Sequence, residues 1–326
     1  MSAWLLRRWY SSHPVWFLIP LAWVFWLLSG LRRALLEPAS LSAPVIVVGN
    51  ITVGGTGKTP FVIWLAAELR KRGRKPGIVT RGYGGDSSMP QRVQADSDPK
   101  RVGDEAVLLA RRSGAPVVAG RDRAAAAGLL LQSGQVDVIL SDDGLQHYRL
   151  PRCHEIVLLD GSRGLGNGWL LPAGPLRETE ARLDGTQVII KQVPGGRFTW
   201  PDALRMGLKT DTVVSLQGGE RRPLASFAGQ SVHAVAAIGN PAQFFATLET
   251  AGLKVDGRAL PDHAALDPVD ISFDDELPVF MTEKDAVKCA GWDLRRHWYV
   301  DATAVIADAD AARIMQNVER ALSAQS

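Results

Sequence analysis

Cysteine is nearly missing from this chain of 326 residues: only Cys153 and Cys289 occur. Neither sits in a Cys-x-x-Cys pair or at metal-ligand spacing, which excludes a disulfide framework and a zinc ribbon and fits a reducing, cytosol-facing compartment. A large charge of either sign is also lacking. The net charge is +3, and four arginines (Arg7, Arg8, Arg32, Arg33) against Glu37 within residues 1–40 account for all of it. No basic excess is left for the folded body, so nucleic-acid binding is not expected. Internal repeats and low-complexity tracts are absent. At 46% hydrophobic and 22% charged, the chain is neither disordered nor a polytopic membrane protein. The length suits two domains of ordinary size, or one large one with extensions.

One long hydrophobic run breaks this even composition. Residues 15–31 (VWFLIPLAWVFWLLSGL) carry no charge and are bracketed by Arg7/Arg8 and Arg32/Arg33. The run is short for a spanning helix, which wants about 20 apolar residues, and it contains Pro20. Five of the ten tryptophans (Trp4, Trp9, Trp16, Trp23, Trp26) fall within the first 26 residues, and tryptophan favours the headgroup interface. An interfacial or partly inserted anchor is predicted. A signal peptide would need a small-residue cleavage site where an Arg-Arg pair stands, and a buried core helix fits paired arginines at both ends less well than anionic lipid headgroups do.

After a short linker at 38–44, residues 45–48 (VIVV) read as a buried parallel strand ended by Gly49-Asn50. Helices near 60–72, 104–112 and 121–132 then alternate with strands near 77–80, 116–119 and 136–141. That rhythm predicts a doubly wound, mostly parallel sheet. Between 150 and 210 the Gly/Pro content rises and helical periodicity fades, which predicts loops and a domain junction. Strands near 211–216, 232–237, 255–260 and 278–282, with helices near 241–251 and 308–322, complete the reading. The expected architecture is α/β: an anchor at 1–40, a P-loop-type domain at 41–205, and a smaller α/β domain at 206–326 closing the cleft, its last helix free to pack back on the first domain.

The segment Asn50-Ile51-Thr52-Val53-Gly54-Gly55-Thr56-Gly57-Lys58-Thr59 follows the buried strand and opens a helix. Backbone amides of Gly54, Gly55, Thr56 and Gly57 in such a loop cradle phosphates. Lys58 reaches the β/γ oxygens and the Thr59 hydroxyl ligates Mg²⁺. Thr52 stands where the strict pattern wants glycine, so the loop is a variant. DNA-partitioning ATPases use a related loop with lysine before the paired glycines, where this chain has Val53.

Asp142 and Asp143, at the tip of the strand near 136–141, supply carboxylates for Mg²⁺, directly or through water. Gln146 and His147 lie just beyond, placed to order acceptor or phosphates. Asp104, at a helix start, reads as a helix cap or as a base that orients an acceptor hydroxyl; His263 is placed to pair with it from the second domain. Arg81, Arg121, Arg123 and Arg177 lie in loops or at strand-to-helix junctions, where ligands of a transferring phosphoryl group belong.

These motifs together resemble the tetraacyldisaccharide 4'-kinase family of the lipid A pathway. The matching stretches are VGNITVGGTGKTP (48–60), TRGYGG (80–85), VGDEAVLLA (102–110), DDGLQH (142–147), LLPAGPLRE (170–178), AIGNPAQFF (237–245), PDHAAL (261–266) and MTEKDAVKC (281–289). They run in order over nearly the whole chain. The resemblance implies transfer of the ATP γ-phosphate to the 4'-hydroxyl of a tetraacylated glucosamine disaccharide 1-phosphate, at the cytoplasmic face of the bacterial inner membrane. It implies that Lys58 and Thr59 hold nucleotide and Mg²⁺, with Asp142 and Asp143 serving the metal. Asp104 would be the general base with His263 raising its competence, and Arg121 and Arg177 would meet phosphates. Asn50, Arg81, Glu105, Gln146 and His147 are the further substrate contacts. The family often has two histidines after the aspartate near 262; here Ala264 follows His263, leaving His263 the sole candidate. Partners implied are the lipid substrate and the phospholipid surface, with no nucleic acid and no obligate protein partner.

Two other readings compete. A membrane-associated switch ATPase of the partitioning kind would release phosphate to water, and the missing lysine counts against it. A non-catalytic tethered binding module would leave Lys58, Asp104 and Asp142 without a role.

Overall fold

The computed structural model describes residues 3–86 and 89–325. The chain starts with α1 (Ala3–Trp9), a short 3-10 turn at Trp16–Leu18, and α2 (Ile19–Leu35). Pro20 falls in the first turn of α2, where a missing N–H costs nothing, so it does not interrupt the apolar helix as the sequence suggested. Trp16–Leu35 is long and apolar enough to cross a membrane. Of α2 only Ala22 is buried, while Leu21, Trp23, Val24, Trp26, Leu27, Leu28 and Leu31 are each more than half exposed. Trp9 and Val15 behave differently. Both are buried, and they tie the segment to the body: Trp9 Nε1 donates to Pro172 O at 2.9 Å, and Val15 N to Ala173 O at 3.2 Å.

The first half of the body runs β1 (Val45–Gly49), α3 (Lys58–Lys71), β2 (Pro76–Thr80), β3 (Gln91–Val93), α4 (Pro99–Val102), α5 (Asp104–Ser113), β4 (Val117–Ala119), α6 (Arg123–Leu131) and β5 (Val138–Asp142). β1 shows why an unbroken β-branched run belongs at the centre of a parallel sheet. Ile46 and Val48 pack on one side with Phe61, Leu65 and Leu69 of α3, and Val45 and Val47 on the other with Ala126 and Leu130 of α6. Burial on both faces removes the alternation that a half-exposed strand needs.

The region 150–210 differs from expectation. It holds β6 (His154–Asp160) and β7 (Gln187–Lys191), and the start of β8 (Leu204–Ser215), all continuing the same sheet. β6 pairs parallel with β1 and β7 with β6. The connection between β6 and β7 is loop with one 3-10 turn in place of a helix, so helical periodicity was missing while the strands were present. β8 pairs parallel with β7 at Leu204–Met206 and then antiparallel with β13, so position 205 lies inside a strand shared by both halves.

The second half comprises β9 (Arg221–Pro223), β10 (Ser231–Ala236), α7 (Pro241–Thr250), β11 (Lys254–Ala259), β12 (Val279–Thr282), α8 (Glu283–Lys288), β13 (His297–Val305) and α9 (Asp308–Ser323). The order across the sheet is β11-β10-β12-β13-β8-β7-β6-β1-β5-β2-β4-β3, with β9 on β8. Ile314, Met315, Val318 and Leu322 of α9 are buried in the cluster that includes α3 and α5, and Val287 of α8 joins them. One apolar core therefore spans both halves. It sets the carboxyl ends of β1, β5 and β2 near those of β10 and β12, where open α/β sheets bind ligands.

Candidate active site

The loop from Asn50 to Gly57 leaves β1 and turns into α3 at Lys58. Gly57 has φ of 83°, and a side chain there would press on Met206 Cε at 3.0 Å and Lys191 Cδ at 3.3 Å; glycine is required on both counts. Behind it, Lys191 and Asp160 form a buried ion pair at 2.7 Å. The loop is held at several points. Asn50 Nδ2 donates to Gly54 O at 3.2 Å, Val53 N to Pro175 O at 2.9 Å and Arg177 N to Ile51 O at 2.7 Å. From the N-terminal segment, the Tyr10 hydroxyl donates to Val53 O at 3.0 Å, with the Arg163 guanidinium 5.2 Å over the Tyr10 ring. Lys58 Nζ lies 3.3 Å from Asn50 Oδ1 and 3.4 Å from Asp143 Oδ1, aimed across the mouth of the loop.

The two aspartates at the tip of β5 sit in opposite environments. Burial would raise the Asp143 carboxyl, but Lys58 and Arg177 outweigh it and hold it well below the usual range; Arg177 Nη1 is 3.4 Å from Asp143 Oδ1. Asp142 is 1% exposed, and burial together with the Glu105 charge pushes it up to about 7. Its Oδ1 is a buried oxygen with no hydrogen-bond partner among the described residues, as is the Thr56 hydroxyl. A buried carboxylate oxygen without a donor is costly unless a cation faces it. With Thr59 half-buried in the first turn of α3, the set of hard oxygens Thr59, Asp142 and Asp143 fits Mg²⁺.

Asp104 does not cap its helix. Gly103 holds the cap position at φ 91°, where a side chain would run into Tyr83 O at 2.6 Å. Asp104 begins α5, 5% exposed, its Oδ1 accepting from Glu105 N at 2.8 Å. His263 Nδ1 comes within 3.3 Å of that same oxygen, at ion-pair distance though off the line of a hydrogen bond. The histidine has φ of 59°, its amide donates to Ala237 O at 3.1 Å, and its ring packs on Tyr83 with centroids 4.2 Å apart. Lys288 Nζ lies 3.6 Å from Asp104 Oδ2 and 2.8 Å from buried Asp285. Burial would raise the Asp104 carboxyl, but His263, Lys284 and Lys288 together bring it below its ordinary value.

The structure thus brings Asn50, Lys58, Asp142, Asp143, Arg177 and Gln146 to one end of the sheet. Gln146 Nε2 donates to Asn50 O at 3.3 Å and to Glu178 Oε1 at 2.8 Å. His147 is half-buried and lowered to about 4 by burial and by the Arg123 and Arg81 charges. Arg81 is exposed, 5.8 Å over the Tyr83 ring. Arg121 stands exposed with no hydrogen bond or ion pair among the described residues. Arg123 is a correction: it is 1% exposed and donates to Gly120 O and Asp142 O, so it braces the β5 tip from within and is closed to ligands. Sequence reasoning missed Lys284 and Lys288. Their spacing of four after the Thr282 cap puts both on one face of α8, a signal indistinguishable from a solvated helix face.

A family model for tetraacyldisaccharide-1-P 4'-kinase matches residues 14–321. Curated tetraacyldisaccharide 4'-kinases align along most of the chain. That of Methylobacillus flagellatus is 46% identical over 98% of this chain and 97% of its own. That of Alkalilimnicola ehrlichii is 50% identical over 89% and 87%, and that of Pseudomonas aeruginosa 43% identical over 98% of each. Among solved structures, LpxK from Aquifex aeolicus in complex with ATP superposes with a TM-score of 0.77, at 26% identity, over 94% of this chain and 98% of that one.

Proposed function

The chain belongs to the tetraacyldisaccharide-1-phosphate 4'-kinase family, and from that premise we propose how its residues carry out the reaction. The protein is an ATP-dependent kinase of lipid A biosynthesis, which moves the γ-phosphate of ATP to the 4'-hydroxyl of a tetraacyldisaccharide 1-phosphate. The observation that carries the residue assignment is the approach of His263, from the second half of the sheet, to the buried Asp104 of the first, at 3.3 Å.

In this reading the amides of Gly54 to Gly57 and the N-terminus of α3 bind the β- and γ-phosphates, with Lys58 across them. Thr59, Asp142 and Asp143 would hold Mg²⁺, which when bound neutralises charge on the phosphate oxygens. Arg177, beside Asp143, meets the transferring group. The Asp104 carboxylate accepts the proton of the 4'-hydroxyl as the new O–P bond forms and the bond to the ADP oxygen breaks; His263 orients it. Glu105, Gln146 and His147 surround the sugar, whereas Asn50, expected there from the sequence, is buried with its side chain spent on Gly54 and Lys58 of the phosphate loop; the exposed guanidinium groups of Arg81 and Arg121 are available to substrate phosphate. Residues 41–205 and 206–326 act as two lobes sharing β8. The segment 1–40 anchors the body to the cytoplasmic face of the inner membrane, where four acyl chains keep the substrate.

The test follows label from γ-labelled ATP with Mg²⁺ in mild detergent, into tetraacyldisaccharide 1-phosphate and separately into free phosphate. Label accumulates in the lipid. Label found only in free phosphate, at a rate indifferent to the lipid, would replace this reading by the switch ATPase. His263→Ala should lower kcat by about 10²-fold and change KM for ATP less than twofold; an unchanged kcat removes His263 from the assignment.

The N-terminal segment also reaches the nucleotide site through Tyr10. Loss of its bond to Val53 O is worth about 1 kcal/mol, so Tyr10→Phe should raise KM for ATP about fivefold with kcat retained. Initial rates against ATP concentration check this.

A further inference from the structure

Lys284 touches three groups at the junction of the two lobes. Its Nζ is 3.1 Å from Glu105 Oε1, 3.0 Å from His263 Nε2 and 3.8 Å from Asp262 Oδ1, with the side chain largely buried. Glu105, Asp104 and Asp262 outweigh burial and raise its pKa, so it is an ammonium at neutral pH. An ammonium has three donors and no acceptor. The contact with His263 therefore has one sense: Lys284 donates and Nε2 accepts. A protonated imidazole has no lone pair to offer, and two cations at that distance would repel.

We infer that Lys284 is a positioning residue that fixes the tautomer of His263, leaving Nε2 bare and placing the ring proton on Nδ1, the nitrogen that faces Asp104. Glu105 holds the ammonium in place, and the left-handed backbone of His263 with the Tyr83 ring against it keeps the imidazole from turning over. The consequence for catalysis rests on the reading of Asp104 as base. A proton on Nδ1 puts the positive end of the ring dipole on the nitrogen 3.3 Å from Asp104, which favours the carboxylate form that accepts from substrate. The other tautomer would turn a lone pair on it and repel the charge that the reaction needs. Thr282, which caps α8, and the ladder of β12 with β10 and β13 set where Lys284 stands, so the second lobe controls the protonation geometry of a base carried by the first.

The test is nitrogen-15 NMR of histidine-labelled full-length protein in detergent, the His263 signals assigned by their loss in His263→Ala. The expected wild-type pattern is a protonated Nδ1 and an unprotonated Nε2. In Lys284→Gln, whose amide oxygen accepts as readily as its nitrogen donates, Nε2–H becomes populated, and kcat falls about 10²-fold with KM for ATP unchanged. Lys284→Arg, again a donor without an acceptor, restores the pattern and most of kcat; thermal melting of each variant confirms folding. A wild-type ring protonated on Nε2, or a pattern untouched in Lys284→Gln, overturns the inference. The tautomer is read without turnover, so a correct pattern beside a fully active Asp104→Asn would fault the base assignment and leave the Lys284–His263 contact standing.

Discussion

Asp104→Ala should reduce phosphate transfer to the lipid by about 10²–10⁴-fold, the usual worth of a general base, and change ATP affinity less than twofold. The nucleotide side of that expectation follows from contacts. Asp104 meets Glu105 N, His263 and Lys288, whereas the phosphate loop is held by Asn50, Lys58, Pro175 and Tyr10. The catalytic side has to meet an objection: a carboxyl held below its ordinary value is a weak base for a sugar hydroxyl. Phosphoryl transfer is tolerant here, because its loose transition state has little bonding to the nucleophile and the proton leaves late. Position then counts for more than basicity. The sign of the shift fixes the pH behaviour. A lowered pKa favours the carboxylate, so Asp104 stays charged above about pH 4 and adds no acid limb to kcat/KM between about pH 5 and 9. Asp104→Asn, equal in shape but unable to take the proton, should be as inactive as Ala in the same labelled-ATP assay. Wild-type kcat in the Asn variant would dismiss Asp104 as base.

What the sequence disclosed about this site depended on how locally each part is encoded. The phosphate loop and the Asp142-Asp143 tip each lie within a dozen residues, and the buried strand before each is an apolar run that cannot be mistaken for a surface. Arg121 and Arg123 were equivalent on paper. The Asp122 side chain accepts from Ala124 N and Ala125 N, which starts α6 and turns Arg123 under the β5 tip, leaving Arg121 outside. Lys284 and Lys288 gained their meaning only from the packing of α8 on α5 through the shared core. β6 and β7 were hidden by the loop that joins them, though His-Glu-Ile-Val-Leu-Leu-Asp and Gln-Val-Ile-Ile-Lys are buried nearly throughout. The same loop, through Pro172, Ala173, Pro175 and Arg177, joins the N-terminal segment to the phosphate loop, a relation with no counterpart in composition or periodicity.

The N-terminal segment has two faces, and they should separate cleanly in experiment. Replacing Trp16, Phe17, Trp23 and Trp26 by serine removes four large apolar groups, each 57–71% exposed. If each is half-immersed in lipid, it contributes about 1.5 kcal/mol to membrane binding. Losing all four weakens partition by about 10⁴-fold, enough to move the protein from pellet to supernatant when sedimented with vesicles of bacterial phospholipid. Turnover with detergent-dispersed substrate should stay within about twofold of wild type, because Trp9, Tyr10 and Val15, which bind the 172–175 loop and Val53, are untouched. Deleting residues 1–35 should lose both functions, vesicle binding and nucleotide affinity. Retained sedimentation of the serine variant would mean that the exposed face of α2 does not meet the bilayer. An equal loss of activity in detergent would mean that α2 serves the site itself. The first arrangement suits the substrate: at about 0.8 kcal/mol for each buried methylene, four acyl chains do not leave the bilayer for a soluble cleft, which is the reason to test for an anchor that brings the cleft to them.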